Sequence, residues 1–368
     1  MKTLQLDRDI LLRPLQSVTG IVERRQTLPI LSNVLIEAHD SVLSLTATDL
    51  EIQVTARVEG ISSDISFDTT VSAKKLLDIL RALPEQASVT LEQRENRLAV
   101  KAGKSRFTLQ TLPTADFPRL PDAQTTSATL SLQQKDFRKL LGLTQYAMAQ
   151  QDIRYYLNGM LLVLDATTLT LVATDGHRLA LVSKELPDTY ARTEIIVPRK
   201  AVLELSRLLG DTEVPATISL MPNQVRFDIE GASVITKVID GKFPDYTRVV
   251  PTNYTKGFDM DRIVLQQALQ RAAILSNEKF RGVRWILTPG SLRILCTNTE
   301  QEEAEEELET TYDADALDIG FNITYLQEVL NSVDVPKIRC TFGDANSSML
   351  ISLQDREDFK YVVMPMRI

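Results

Sequence analysis

Residues able to do chemistry are few in this 368-residue chain, which has two histidines and two cysteines. His177 follows Asp175 and Gly176, and Asp-Gly-His is a fragment of a general-base relay. No partnered serine or cysteine motif accompanies it, so His177 reads as a residue that shapes its surroundings. Cys296 and Cys340 lie in apolar strings, RILCTN and IRCTF, the setting of buried free thiols in a reducing compartment. The counts argue against a His/Cys zinc site, a disulfide framework or repeated haem motifs, and no metal or cofactor is expected. GxGxxG, a Walker A lysine, HExxH and GxSxG are all missing. The one dense carboxylate group is a run of seven glutamates from Glu300 to Glu309. A nuclease's Mg²⁺ site needs separated, convergent oxygens, whereas a contiguous run is ordinarily a solvated surface.

Hydrophobic residues make up 43% and charged residues 24%, the values of a soluble globular protein. At roughly 150 residues per domain the length predicts two to three domains. No apolar run approaches the roughly 18 residues that would span a bilayer. The opening MKTLQLDRDI has charges where a signal peptide needs an apolar stretch, so a cytoplasmic protein is expected. The net charge of −8 is unevenly spread. Residues 1–126 carry 15 basic against 16 acidic side chains, 127–255 carry 14 against 14, and 256–368 carry 12 against 19. The whole-chain charge therefore says little about any one surface.

The elements that must position these groups repeat three times. TLQLDRDILLRPLQSV from Thr3, TLSLQQKDFRKLLGLTQYAM from Thr129 and GFDMDRIVLQQALQRAAIL from Gly257 each predict a short strand and an amphipathic helix. Asp7 and Asp261 suit N-caps, and Pro14 predicts a kink or early break in the first helix. Alternating segments broken by a turn follow, as in hairpins: SNVLIEAHDSVLSLTATDLEIQVTARV, NGMLLVLDATTLTLVATDGHRLALVS and a weaker third copy from Arg281. A second helix then comes in each copy, from Ser72, Pro198 and Asn322, with Pro198 suited to its first position. The period is about 126 residues, which predicts three α+β domains, 1–126, 127–255 and 256–368, with six helices in all.

On the second helices, about 100° per residue puts Leu76, Ile79, Leu80 and Leu83 on one buried stripe, and Val202, Leu205 and Leu209 on another. Lys74 and Arg81 fall opposite the first, and Lys200 and Arg207 opposite the second, at equivalent positions. The third copy has Thr324 and Asn331 there, and the pattern fails. Such a face is either solvated surface or a track for phosphates. The loops after the first helices carry Arg24-Arg25, QDIRYY from Gln151, and Lys279-Phe280-Arg281. Basic and aromatic residues together suit a nucleic-acid backbone.

With these residues in view, the chain resembles the bacterial DNA polymerase III beta subunits, the sliding clamps. The resemblance rests on TLPIL, RFTLQTLPTADFP, QDIRYYLNGM, ATDGHRLA, IVPRK, DGKFPDY, AILSNEKFRGVR, EQEEAEE and YVVMPMRI, and runs from end to end. It implies three clamp domains per chain, helices lining a central hole, antiparallel sheets outside, and a head-to-tail dimeric ring. Six packed helices around a circle leave an opening of only about 9 Å, while twelve leave about 28 Å, enough for a duplex. The resemblance also implies a non-catalytic processivity factor. Its partners would be duplex DNA, the DNA polymerase III alpha subunit and other clamp-motif proteins, and a clamp loader.

Three sites follow from the resemblance. Arg25, Gln151, Arg154 and Tyr155 match DNA-touching loops, and join Lys74, Arg81, Arg199, Lys200 and Arg207 as DNA-binding candidates. A partner-peptide pocket would use Tyr156, Leu157, Thr174, Gly176, His177, Arg178, Leu179, Pro244, Arg248, Val249, Val362, Met364, Pro365, Met366 and Arg367. Methionines there can re-pack around different anchors, and Pro365 stops a sheet ladder. The subunit seam would set Glu300, Glu303, Glu305 and Glu306, with Ile274 and Leu275, against Lys75, Lys104, Arg106, Phe107 and Leu109 of the other chain. Two other readings stand beside this one: a repeat scaffold that never encircles DNA, and a metal-dependent nuclease.

Overall fold

A computed structural model describes residues 2–23, 28–61, 66–121, 125–354 and 356–367. Among them are the six expected helices: α1 (Arg8–Val18), α2 (Ala73–Ala82), α3 (Gln134–Thr144), α4 (Arg199–Leu208), α5 (Arg262–Ala272) and α6 (Ile323–Ser332). Each directly follows a strand. The starts of α1 and α3, and of α2 and α4, stand 126 positions apart.

The helices are held by apolar stripes and by their ends. In α2, Leu76, Leu77 and Leu80 are buried, with Leu83 just beyond, while Ile79 is only half-buried, so the stripe is rotated slightly from the expected one. In α4, Val202 and Leu205 are buried, as is Leu209 after its end. The opening residue of each first helix ties down the end of the second. Arg8 Nε donates to Leu80 O at 2.7 Å, Arg262 Nη1 donates to Leu330 O at 3.1 Å, and Gln134 Oε1 accepts from Gly210 N at 3.0 Å. Carbonyls at a helix C-terminus have no intrahelical donor, and a cation there also opposes the macrodipole.

Three local expectations need correction. Helix α1 runs through Pro14 to Val18; Pro14 is buried with Leu11, Leu12 and Leu15, and that packing overrides the lost backbone bond. Asp7 occupies the N-cap of α1 without a side-chain cap bond, whereas Asp261 accepts from Ile263 N and Val264 N at 2.9 and 3.0 Å. Pro198 is the last residue of a strand, one position before α4, where Ser72 and Asn322 cap α2 and α6.

Packing divides the chain into two compact bodies, residues 1–138 with 200–238, and 139–199 with 239–368. The cut falls inside the middle repeat because strands pair across repeat boundaries. In the first body, Ile52–Glu59 of the first repeat pairs antiparallel with Ala232–Lys237 of the second, Val54 opposite Val234. This joins twelve strands in one sheet. In the second body, Arg178–Pro198 of the middle repeat pairs with Arg356–Val363 of the last, Leu179 opposite Val362, in a six-stranded sheet. A separate four-stranded sheet completes that body, with Glu303–Glu309 as its edge. The middle repeat has no tight hairpin turn at Asp165. Gly159–Thr174 is one long strand with register shifts around Ala166, because its partner is itself 21 residues long.

Candidate peptide pocket, DNA-facing cations and strand edges

A concavity lies in the second body, over the seam where the middle and last repeats share a sheet. Its cavity of about 210 Å³ is lined by Arg154, Tyr156, Leu157, Thr174, Gly176, Arg178, Leu179, Phe243, Pro244, Tyr246, Val249, Val362 and Met364. Leu157, Leu179, Val362, Phe243 and Val250 belong to one buried cluster, so the floor is continuous with the core. The strand register explains the meeting: Leu179 and Val362 are direct cross-strand neighbours.

The rim is set by hydrogen bonds. Thr174 Oγ1 donates to Arg178 O at 2.6 Å and accepts from Gly176 N at 3.1 Å, closing the turn. Gly176 has φ +89°, and a Cβ there would lie 2.8 Å from the Arg154 guanidinium, so both backbone and space demand glycine. His177 contributes its carbonyl, which accepts from Met364 N at 2.9 Å, and Met366 N donates to Gly320 O at 2.8 Å. These two bonds fix the C-terminal segment on either side of Pro365. His177 thus acts through its backbone, and its side chain is exposed.

Arg178 is a buried strut. It pairs with Asp175 at 3.0 Å and with Glu328 of α6, donates to Tyr146 O at 2.5 Å, and lies 4.3 Å from the Tyr325 ring centroid. Burial opposes its charge, yet Tyr361, Glu328 and Asp175 raise its pKa above the ordinary arginine value.

Phe243, Tyr246 and Arg154 complete the pocket but were not assigned to it from sequence. The string DGKFPDY that carries Pro244 also carries Phe243 and was the available signal. Conversely Arg248, 86% exposed and paired with Asp245 at 2.9 Å, does not line the cavity, nor do His177, Pro365, Met366 and Arg367. Met366 and Arg367 instead border a second cavity of about 500 Å³ with Asn277, Phe280, Gly282, Arg284, Leu295, Thr297 and Glu303.

Of the expected DNA-facing cations, Lys74 and Arg81 are exposed on α2 and make no ion pair with any described residue; Lys75 is the same. Lys200 and Arg207 are engaged. Lys200 pairs with Glu23 at 2.7 Å and with Asp49, and burial opposes its charge while Asp49 and Glu23 raise its pKa overall. Arg207 pairs with Glu204 and donates to the carbonyls of Gln16 and Ser17 at 3.3 and 2.6 Å. Arg199 donates to Met148 O at 3.1 Å. Arg25 lies outside the described residues. A cation pair was missed: Arg13 on α1 and Lys139 on α3 are also 126 positions apart, exposed, and without an ion pair among described residues.

In the Gln151 loop, Arg154 turns inward. Its Nε and Nη2 meet the Asp152 carboxylate at 3.0 and 2.9 Å, and Nη2 reaches Asp175 O at 3.1 Å. The Arg154 side-chain bonds pull the Asp152 carboxyl down to about 2. What the loop presents outward is Gln151, Ile153 at 96% exposure and Tyr155 at 57%.

Two strand edges stand open. Among the described residues, Ser105–Leu112 pairs with Arg97–Ala102 on one side and with Phe67–Ser72 only at Thr111 and Leu112, leaving the outer-edge backbone groups of residues 105–110 without a strand partner. Arg106 is exposed on it with Lys104 in the preceding turn, and Phe107 and Leu109 are half-buried. Among the described residues, Glu303–Glu309 pairs only with Ser291–Thr297. Its side chains alternate, Glu303, Glu305, Glu307 and Glu309 outward, Glu306 inward onto Arg271 at 2.6 Å. The run therefore does not converge on a common ligand position. Glu300 lies exposed before this strand, near Ile274, which is 77% exposed, while Leu275 is half-buried.

Both thiols are buried and free. No helix among the described residues is long and apolar enough to cross a membrane.

Sequence profiles for the DNA polymerase III beta subunit match three consecutive stretches: the N-terminal domain over residues 2–121, the central domain over 131–245 and the C-terminal domain over 247–367. The chain is 48% identical over 364 residues to the beta sliding clamp of Pseudomonas putida, covering 99% of each. It is 44% identical over 363 residues to that of Escherichia coli K12, again covering 99% of each. A crystal structure of the DNA polymerase sliding clamp from Pseudomonas aeruginosa with ligand superposes with TM-score 0.95 at 46% identity, covering all of both chains.

Proposed function

The chain belongs to the DNA polymerase III beta subunit family, the sliding clamps, and on that premise we propose that two copies close head to tail into a ring around duplex DNA. The observation that carries the reading is the pair of open strand edges of opposite charge. Among the described residues, 105–110 offer outer-edge backbone groups without a strand partner beside Lys104 and Arg106, and Glu303–Glu309 offers the same beside glutamates. An unpaired edge invites a strand from another chain, and a head-to-tail contact that closes makes a ring. Ile274 and Leu275 would meet Phe107 and Leu109, with Lys75 near the acidic end of the partner. Three clamp domains, 1–126, 127–255 and 256–368, then divide each chain.

The mechanism is topological. The protein stays on DNA because it surrounds it, and makes or breaks no bond. Few exposed cations, Lys74, Arg81, Arg13 and Lys139 with Gln151 and Tyr155, would meet phosphates without reading sequence, so sliding stays fast. Lys200 and Arg207 would first have to leave their carboxylates. The pocket of Leu157, Leu179, Val362, Phe243 and Met364 would take an apolar-anchored peptide from the DNA polymerase III alpha subunit and other clamp-motif proteins. A clamp loader would open the ring, in the cytoplasm.

Retention on nicked circular DNA, followed by linearisation, tests this. Release on linearisation is expected. Equal retention on the linear form would instead indicate a scaffold that binds along DNA, and Mg²⁺-dependent cleavage would indicate a nuclease.

A further inference from the structure

We propose that Glu37, His39 and Asp68 in the first body bind a divalent transition metal ion of borderline softness, with Zn²⁺ as the reference ion. The strands Asn33–His39 and Phe67–Ser72 pair antiparallel with Glu37 directly opposite Asp68. His39, two residues on, shares their face. One ligand atom from each lies within 4.8 Å of the others. Two carboxylates placed opposite each other repel, and a shared cation would add to the relief that Arg119 and Lys2 give from outside.

The surroundings leave that position open. Arg119 reaches Glu37 Oε1 at 2.6 Å, and Lys2 reaches Asp68 Oδ2 at 3.6 Å, each on one oxygen of its carboxylate. Asp68 Oδ1 meets His39 Nε2 directly, a contact that an ion would replace, and Glu37 Oε2 makes no ion pair among the described residues. On the other side of the ring, His39 Nδ1 meets Ser66 Oγ at 3.0 Å. A metal-bound imidazole ordinarily donates its second N–H to such an oxygen, which fixes tautomer and ring orientation. Nε2, which meets Asp68 Oδ1, is then the nitrogen that would ligate, with the ion coming between the two. One imidazole and two carboxylates suit Zn²⁺ and its neighbours, with water in the fourth position.

Zn²⁺ bonds of about 2.0–2.1 Å set tetrahedral ligands about 3.3 Å apart. Asp68 and His39, already in contact, must therefore part slightly while Glu37 draws in, which side-chain rotation allows at these partly exposed positions. His39 is 42% and Asp68 30% exposed. Ser66, His39 and Asp68 also have the connectivity of a nucleophilic triad, but the cavities described above lie elsewhere. Zn²⁺ would cross-link the two strands and stabilise the folded first body by mass action.

The small number of competing ligands makes the test clean. Both cysteines are buried with raised thiol pKa values, and His177 is the one other histidine. Zn²⁺ is titrated into the full chain by calorimetry, with Co²⁺ absorbance and imidazole NMR as second readouts. One ion per chain is expected, with a raised melting temperature and movement of the His39 resonances. His39→Ala and Asp68→Asn should each weaken binding by at least about tenfold; His177→Ala should leave it unchanged. Melting in EDTA checks that the variants fold. The proposal is overturned if binding is not saturable, if it survives in His39→Ala, or if it is lost in His177→Ala.

Discussion

Replacing Ile274 with aspartate is the sharpest test of the subunit seam. Ile274 is 77% exposed, so the substitution removes little packing from its own body, whereas half-buried Leu275 would confuse folding with association. Complete burial of an isoleucine is worth roughly 1.5–3 kcal/mol, so covering this one contributes roughly 1–2 kcal/mol per seam. A ring of two chains has two seams, and the loss doubles to roughly 2–4 kcal/mol, about thirty- to a thousandfold in the dissociation constant. The new carboxylate would also lose water against Phe107 and Leu109 of the other chain, which adds to the loss. Sedimentation velocity over a dilution series reads the constant, and near-ultraviolet dichroism of buried Trp285 checks the fold. A variant whose dimer dissociates within about threefold of the parent would refute the seam, and with it the assignment of Ile274 as its apolar anchor.

Other outcomes follow from the same geometry. Lys74→Glu with Arg81→Glu should shorten retention on circular DNA and flatten its salt dependence while leaving the melting temperature unchanged, since neither residue has an ion pair among described residues. Deleting residues 364–368 should abolish binding of a clamp-motif peptide, measured by fluorescence anisotropy, without dissociating the dimer. Arg178→Met should destabilise the second body by roughly 3 kcal/mol, because half-buried Asp175 and the Tyr146 carbonyl lose their partner while Glu328 is partly solvated; denaturant melts measure this. Burial pushes the Cys296 thiol up to about 11 against an ordinary 9.0, with Arg281 opposing. That raised value contributes stability below pH 9 that is lost as pH rises toward 11, and Cys296→Ala should flatten the loss in melts across that range.

The helices and their faces were legible because a 3.6-residue period and a 126-residue offset are both local signals. Lys74 and Arg81 emerged from them as exposed cations. The fates of Lys200 and Arg154 were not legible. Charge type is written in the sequence, but Glu23 and Asp49 lie far from Lys200 along the chain, and only the fold brings them together. Strand pairing behaves likewise: alternation marks Ile52–Glu59 as a strand, yet nothing local says that it joins Ala232–Lys237 across a repeat boundary. Pro14 shows the opposite case, a strong local signal overruled by core packing. Most pocket positions came from resemblance, and the shared floor of Leu179 and Val362 became a physical statement only through their register.

Joined as proposed, the two open strand edges would make each chain a bifunctional monomer, with a donor end and an acceptor end. Such monomers face a ring–chain competition: a half-joined pair can close on itself or recruit a third copy. Once one seam has formed, the remaining ends see each other at an effective concentration near the millimolar range, far above free chain in dilute solution. Closure therefore outruns growth, and it leaves no open edge behind. A change that blocked the second seam from closing on the same pair would keep both edges active and turn a ring-former into a filament-former, visible as concentration-dependent polymers.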